Sequence, residues 1–258
     1  MTHEQTTFKE ALEEAQRLGF AEADPIDDVE GVDAARKVVI TSYLSFNQVI
    51  KLNDVKLVGI SDITLADINA ASALNYKIKL IGKGTYKNGY VDASVEPTLI
   101  HKNHQLTSVE NEYNAIYVIG DAVGDTMFYG KGAGSLATGS AVVSDLLNVA
   151  LFFESNLHTL PPHFELKTEE TKEMMDGAEP VVIQEKSNYY IVISHSHKSL
   201  EKVEYDIKKK LPFHKSLQLV ERDQDTYAII VTGIETSPEK VLNQSGFNVK
   251  KVYPVEGV

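Results

Sequence analysis

Cysteine and tryptophan are both absent from the 258 residues. Without cysteine there can be no disulfide, thiolate metal site, iron–sulfur cluster or thiol nucleophile. Positive charge is also scarce: 25 Lys and Arg face 37 Asp and Glu, for a formal charge of −12. A surface of that sign repels a phosphate backbone, so nucleic acid is not expected as a partner. No apolar run reaches the roughly 18–20 residues that span a bilayer. The acidic, amphipathic start MTHEQTTFKEALEEAQ lacks the apolar stretch of a signal peptide. A soluble, cytoplasmic protein with no membrane partner is the expectation. What is present, 43% hydrophobic and 24% charged residues, is the balance of a globular chain of one large domain or two ordinary ones.

Phe8, Leu12, Ala15 and Leu18 recur at helical spacing over 7–18, with Gly19 as a stop. A second helix is expected from about Val32 through Lys37 towards Phe46, capped by Asp27 or Asp28. A third covers 60–76, capped by Thr64 or Ser61. YKIKLIG (76–82) alternates as a half-buried strand does, and further strands are expected at 89–95, 98–101 and 115–121. Gly130, Gly132 and Gly134 fall in a loop before an apolar helix that begins after Ala137. Residues 154–178, with Pro161–Pro162, read as a linker. Beyond it come a strand (187–194), a helix (199–211), two strands (215–223 and 225–234), a helix (237–245) and a strand (247–255). That order, βαββαβ, is the ferredoxin-like split βαβ pattern.

Glu22, Asp24, Asp27, Asp28, Glu30 and Asp33 put six carboxylates into twelve positions, just before Lys37. Asp33 and Lys37 are four apart and share a helix face. They read either as an ordinary surface ion pair worth about 0.3–0.5 kcal/mol, or as a lysine in a carboxylate pocket. There the lysine would exchange a proton while the acids grip a substrate ammonium. The acids could instead hold a hard divalent cation, although EF-hand spacing is absent. The segment GKGAGS (130–135) leads into a helix, so it is either a tight turn or an anion site at a helix N-terminus. It is neither a Walker loop nor a dinucleotide fingerprint. His101 and His104, and His195 and His197, lack zinc-ligand spacing, and no metal site is expected. No G-x-S-x-G elbow occurs.

Three ordered blocks resemble homoserine dehydrogenases: FKEALEEAQRLGFAEADPIDDVEGVDAARK (8–37), ISDITLADINAASALNYKIKLIG (60–82) and NAIYVIGDAVGDTMFYGKGAGSLATGSAVVSDLL (114–147). Asn75 stands where glycine is usual, Ala137 where proline is, and Gly139 where alanine is. The resemblance implies a role for each matching residue. Lys37 is the catalytic proton shuttle for the substrate hydroxyl, and Asp33 orients the lysine or the substrate. Glu22 binds the α-ammonium of homoserine, supported by Asp28. Gly132, Gly134 and Thr138 lie against the cofactor or bound substrate. The reaction it implies is the NAD(P)-dependent interconversion of L-homoserine and L-aspartate 4-semialdehyde, on the route to threonine and methionine.

The fold it implies is α+β: a mixed sheet with helices on one face over 1–153, a linker at 154–180, and a βαββαβ domain over 181–258. The last resembles an ACT regulatory domain, a threonine sensor in relatives. The usual Asp-x-Pro-Gly after its first strand is replaced by SHSHKSLEK (194–202). The family's N-terminal Rossmann domain, which carries most of the NAD(P) site, has no counterpart here. The chain therefore reads as the C-terminal two-thirds of such an enzyme, inactive or nearly so alone, and assembling as a homodimer or homotetramer. The alternative is an amino-acid-binding regulatory or oligomerisation module without catalysis.

Overall fold

The computed structural model describes residues 1, 6–18, 21, 23–111, 113–132, 134–154, 187–194, 199–211, 214–223, 225–235, 237–245 and 247–256. Helix α1 (Phe8–Arg17) starts on a reciprocal cap, in which Thr7 Oγ1 accepts from the Glu10 amide and Glu10 Oε2 accepts from the Thr7 amide. Gly19, its expected stop, lies outside the described residues. A single turn, α2 (Ile26–Val29), then precedes α3 (Val32–Phe46). Neither Asp27 nor Asp28 caps α3, contrary to expectation. Both belong to α2, and Gly31 turns the chain between the two helices at φ +80°. Only glycine fits there, since an added Cβ would lie 2.9 Å from Val95 Cγ1.

After the short β1 (Lys56–Leu57), α4 (Leu65–Ala73) begins on Thr64, which shares a capping box with Asp67. Strands β2 (Tyr76–Lys87) and β3 (Tyr90–His101) form a long hairpin. Its Asn88–Gly89 turn has positive φ at both residues, as a tight hairpin turn requires. The two strands expected at 89–95 and 98–101 are thus one. Proline has no amide to donate, so the Glu96–Pro97 step reads as a break. Yet β1 pairs with β3 only at Ser94 and Val95, and the last strand, β9 (Asn248–Glu256), only at Leu99 and Ile100. Pro97 falls in the gap between these neighbours.

A separate two-stranded sheet follows, β4 (Tyr113–Gly120) with β5 (Gly124–Lys131). Strand β5 was not expected from the sequence, and it takes Gly130 out of the expected loop and pairs it with Asn114. Helix α5 (Ser135–Glu154) comes next. The linker expected at 154–180 lies outside the described residues, except Glu154 at the end of α5. The remaining elements are β6 (Ser187–Ser194), α6 (Leu200–Lys210), β7 (Ser216–Asp223), β8 (Thr226–Ile234) and α7 (Pro238–Gln244), closing with β9.

The βαββαβ segment forms the strand order β9-β6-β8-β7 and continues through β9 into β3, making one seven-stranded mixed sheet. On one face, Val203 and Ile207 of α6 and Leu242 of α7 bury against Ile191, Ile193, Ile229 and Val231. On the other, Ala70 and Ala71 of α4 pack with Leu99, Tyr190, Val192, Ile230 and Val255. Further along that face, Ala35 and Val38 of α3 meet Ala93 and Val95. The fold class is α+β as expected. Helices α3 and α4 of the first segment lie on one face, and the C-terminal segment adds its own to the other.

Helix α5 stands apart. Along its length of about 30 Å its large apolar side chains face outward: Leu136 is 88% exposed and Phe153 74%. Ser135–Phe153, with mean hydropathy 1.6, is long and apolar enough to cross a membrane by length and composition alone. This corrects the reading that no such stretch exists. Ser, Thr, Gly and Asp145 break the run letter by letter, but averaged over the helix they leave it apolar.

Candidate functional site

The acidic cluster resolves into pairs set by α2 and α3. Asp27 at the start of α2 accepts from Arg36 Nη1 at 2.5 Å. Asp33, in the first turn of α3, holds Lys37 Nζ at 2.6 Å, one helical turn on. This pair is open to solvent, with the lysine side chain 64% and the aspartate 43% exposed. Asp28 is exposed on α2 and has no ion pair among the described residues. Glu22 lies outside the described residues. The structure therefore brings Asp33 and Lys37 together, and sets Asp28 on the helix that leads into theirs.

Gly132, Gly134 and Thr138 lie where β5 passes into α5. Gly134 has φ +108° and open space within 4 Å of where a Cβ would project. The Thr138 amide donates to the Gly134 carbonyl at 3.0 Å, closing the first turn of α5. All three residues are exposed, and no hydrogen bond or ion pair among the described residues joins them to Asp33 or Lys37. Such a glycine turn at a helix N-terminus fits the edge of an anionic cofactor, since backbone N–H groups point outward with no side chain in the way. It does not enclose one. Among the described residues, no group of three or more His, Asp or Glu side chains is placed to hold a metal ion.

One concave feature was not expected from the sequence. A cavity of about 320 Å³ lies between β2 and β4, lined by Lys79, Leu80, Ile81, Leu106, Val109 and Tyr113, among others. Lys77 Nζ donates to Glu110 Oε1 at 2.9 Å, and Lys79 Nζ donates to the Val109 carbonyl. Burial pushes the Lys79 pKa down, the neighbouring Lys77 ammonium adds to this, and Glu110 offsets it in part. The signal was present in YKIKLIG, where Lys77 and Lys79 recur at period two on one strand face.

Against known proteins, residues 1–147 match the family model described as homoserine dehydrogenase, and residues 186–258 the model of the homoserine dehydrogenase C-terminal domain. The chain is 52% identical over 149 residues to a homoserine dehydrogenase of Bacillus subtilis, covering 58% of this chain and 34% of that protein. It is 43% identical over 157 residues to one of Pseudomonas aeruginosa, covering 61% of this chain and 36% of that protein. Among solved structures, homoserine dehydrogenase of Staphylococcus aureus at pH 7.5 superposes with TM-score 0.86 and 69% identity, over 100% of this chain and 61% of that one. The enzyme of Thiobacillus denitrificans gives 0.78 and 30%, over 99% of this chain and 60% of that one. The chain thus spans about a third of the length of its curated relatives and three-fifths of the solved chains. On these matches, which cover both the segment with the Asp33–Lys37 pair and the βαββαβ segment, the chain belongs to the homoserine dehydrogenase family, a family of oxidoreductases.

Proposed function

We propose that this chain supplies the substrate end of a homoserine dehydrogenase, interconverting L-homoserine and L-aspartate 4-semialdehyde in threonine and methionine biosynthesis. The observation that carries this reading is the Lys37–Asp33 pair, 2.6 Å apart, within the segment matched to the family. Held by Asp33, Lys37 offers an ammonium that can give its proton to the aldehyde oxygen as the carbon is reduced. In the reverse direction its amine takes the proton of the hydroxyl. Asp28, and Glu22 with it, supply the negative charge that a zwitterionic amino acid needs at its ammonium. With the two ends of a short substrate fixed, the reacting carbon has one place to be.

NAD(P), when bound, supplies the hydride chemistry. Of this chain's residues, Gly132, Gly134 and Thr138 would hold one edge of it. Most of the cofactor site belongs to a nucleotide-binding portion of the enzyme, and the bare apolar length of α5 supports an arrangement in which further protein packs there. The chain alone is therefore expected to be inactive or nearly so. The βαββαβ segment is read as ACT-like, and the assembly as a cytoplasmic homodimer or homotetramer. The exposed face of α5 also favours a second reading, a regulatory or oligomerisation module without catalysis.

The test is L-homoserine oxidation by this chain, alone and joined to the nucleotide-binding portion of a relative. The joined enzyme is expected to turn over and the chain alone not to. Lys37→Met in the joined enzyme is expected to lower kcat by about 10²–10⁴-fold, the usual worth of a positioned proton donor. A Lys37→Met enzyme as fast as its parent would rule out the proposed role, and a joined enzyme that binds L-threonine but never turns over would favour the second reading.

A further inference from the structure

Asp67 is fully buried where α4 lies on the C-terminal strands. Its Oδ1 accepts from Arg222 Nε of β7 at 2.8 Å, and its Oδ2 from Lys251 Nζ of β9 at 2.7 Å. Thr64 completes the shell, donating its amide at 3.0 Å and its hydroxyl at 2.8 Å to Oδ2, and accepting from Arg222 Nη2 at 2.9 Å. These are charge-assisted bonds to a fully buried carboxylate from cations only 10% and 19% exposed, so each is stronger than its counterpart in water. Two cations from the βαββαβ segment thus close on one carboxylate of the first segment, across more than 150 residues of sequence.

The loop that leads into α4 is fastened at both ends. At one end Lys251 Nζ also donates to the Asp62 carbonyl. At the other, the Ile60 amide donates to the Val29 carbonyl of α2 at 2.9 Å. Gly59 presses on the same turn, where an added Cβ would lie 2.4 Å from Glu30 Oε2 and 2.8 Å from the Val29 carbonyl. Val29 and Glu30 separate Asp28 from Gly31, whose carbonyl accepts from the Ala35 amide in the first turn of α3 beside Asp33.

We infer that Asp67, Arg222 and Lys251 are positioning residues: the C-terminal segment, through this buried cluster and the 59–62 loop, holds α2 and the start of α3, and with them Asp28 and the Asp33–Lys37 pair. The inference rests on the proposed function for what those residues do, but not for the mechanical link itself. It gives the βαββαβ segment a part in ordering the substrate end, without any effector bound.

Amide hydrogen exchange of the full chain tests it and needs no turnover. Arg222→Gln is expected to speed exchange at the Ile60 amide and across 28–35 by about tenfold or more, and Arg222→Lys, which keeps the charge, to restore most of the protection. Lys251→Met leaves Asp67 paired with Arg222 but also removes the bond to the Asp62 carbonyl, and should loosen the same stretch, so the test survives if one variant folds poorly. Exchange that rises only at 62–67 and along β7, with 28–35 unchanged, would overturn the inference and reduce the cluster to a helix cap. That result would leave the homoserine dehydrogenase reading standing. A joined enzyme without turnover would leave the exchange result standing in turn.

Discussion

Two aspartates paired with basic side chains behave differently because of where they sit. The Asp33–Lys37 pair is open to water, so its net worth to folding is a fraction of a kcal/mol, and its chemistry is free for a substrate. Asp67 is sealed, and removing it takes from Lys251 its carboxylate and leaves Arg222 with Asp223 alone, both cations being mostly buried. Asp67→Ala is therefore expected to cost roughly 3 kcal/mol at neutral pH, the low end for a broken buried pair, because Arg222 retains Asp223. Burial alone raises its pKa, but hydrogen bonds from Arg222, Lys251 and Thr64 outweigh this and hold it below the ordinary value. A carboxylate lower in the folded state than in the unfolded one stabilises fully above its unfolded pKa. That stability is lost as the pH falls through the folded value. The urea midpoint should therefore drop on acidification below about pH 4, and Asp67→Asn should flatten that slope. An unchanged slope in the variant would show that Asp67 titrates alike in both states. The same burial acts on two neighbouring phenols, with the negative Asp67 nearby: Tyr253 is pushed up to about 12 and Tyr190 higher still, the latter with its hydroxyl unpartnered among the described residues.

At the scale of single elements, what the sequence made legible follows from local pattern. Strand β6 and the helices α6 and α7 lie within a residue or so of their expected bounds, because alternation and helical spacing are properties of neighbouring residues. The first segment was harder. GDTMFYGK has glycine near each end and little alternation, so β5 could not be told from a loop. The split of β3 at Pro97 was undone by which stretches of it its neighbours pair with, a fact outside the strand itself. Helix α5 was located, but its exposure was not legible, because an apolar helix reads alike whether it is buried or bare. Its packing gives a prediction: replacing Leu146 and Leu147 of α5 with lysine should cut binding of an apolar dye and self-association. The unfolding midpoint should hardly move, since neither side chain is buried. A large fall in that midpoint would mean that α5 packs within this chain.

For the whole molecule, the sharing of one sheet matters more than the division into segments. Strand β9 is the last of the βαββαβ order and also the neighbour of β3, while α4 of the first segment covers the second face of the C-terminal strands. Neither segment can unfold without baring apolar surface of the other. Calorimetry of the chain should therefore show a single transition over both segments, with the calorimetric and van't Hoff enthalpies equal. Two resolved transitions would mean that the β3–β9 pairing and the Asp67 cluster are weak.

The family, the βαββαβ order and the Asp33–Lys37 pair were determined by the sequence alone, since each depends on residues a few positions apart or on a motif read in order. The tertiary structure decided that the two segments are continuous through one sheet, and that an unremarkable first-turn carboxylate of α4 is a buried anchor. Its partners lie 155 and 184 residues away. No periodicity within α4 distinguishes an Asp67 capping its own helix in water from one gripped by two distant cations; only the meeting of α4, β7 and β9 removes the water and makes the difference.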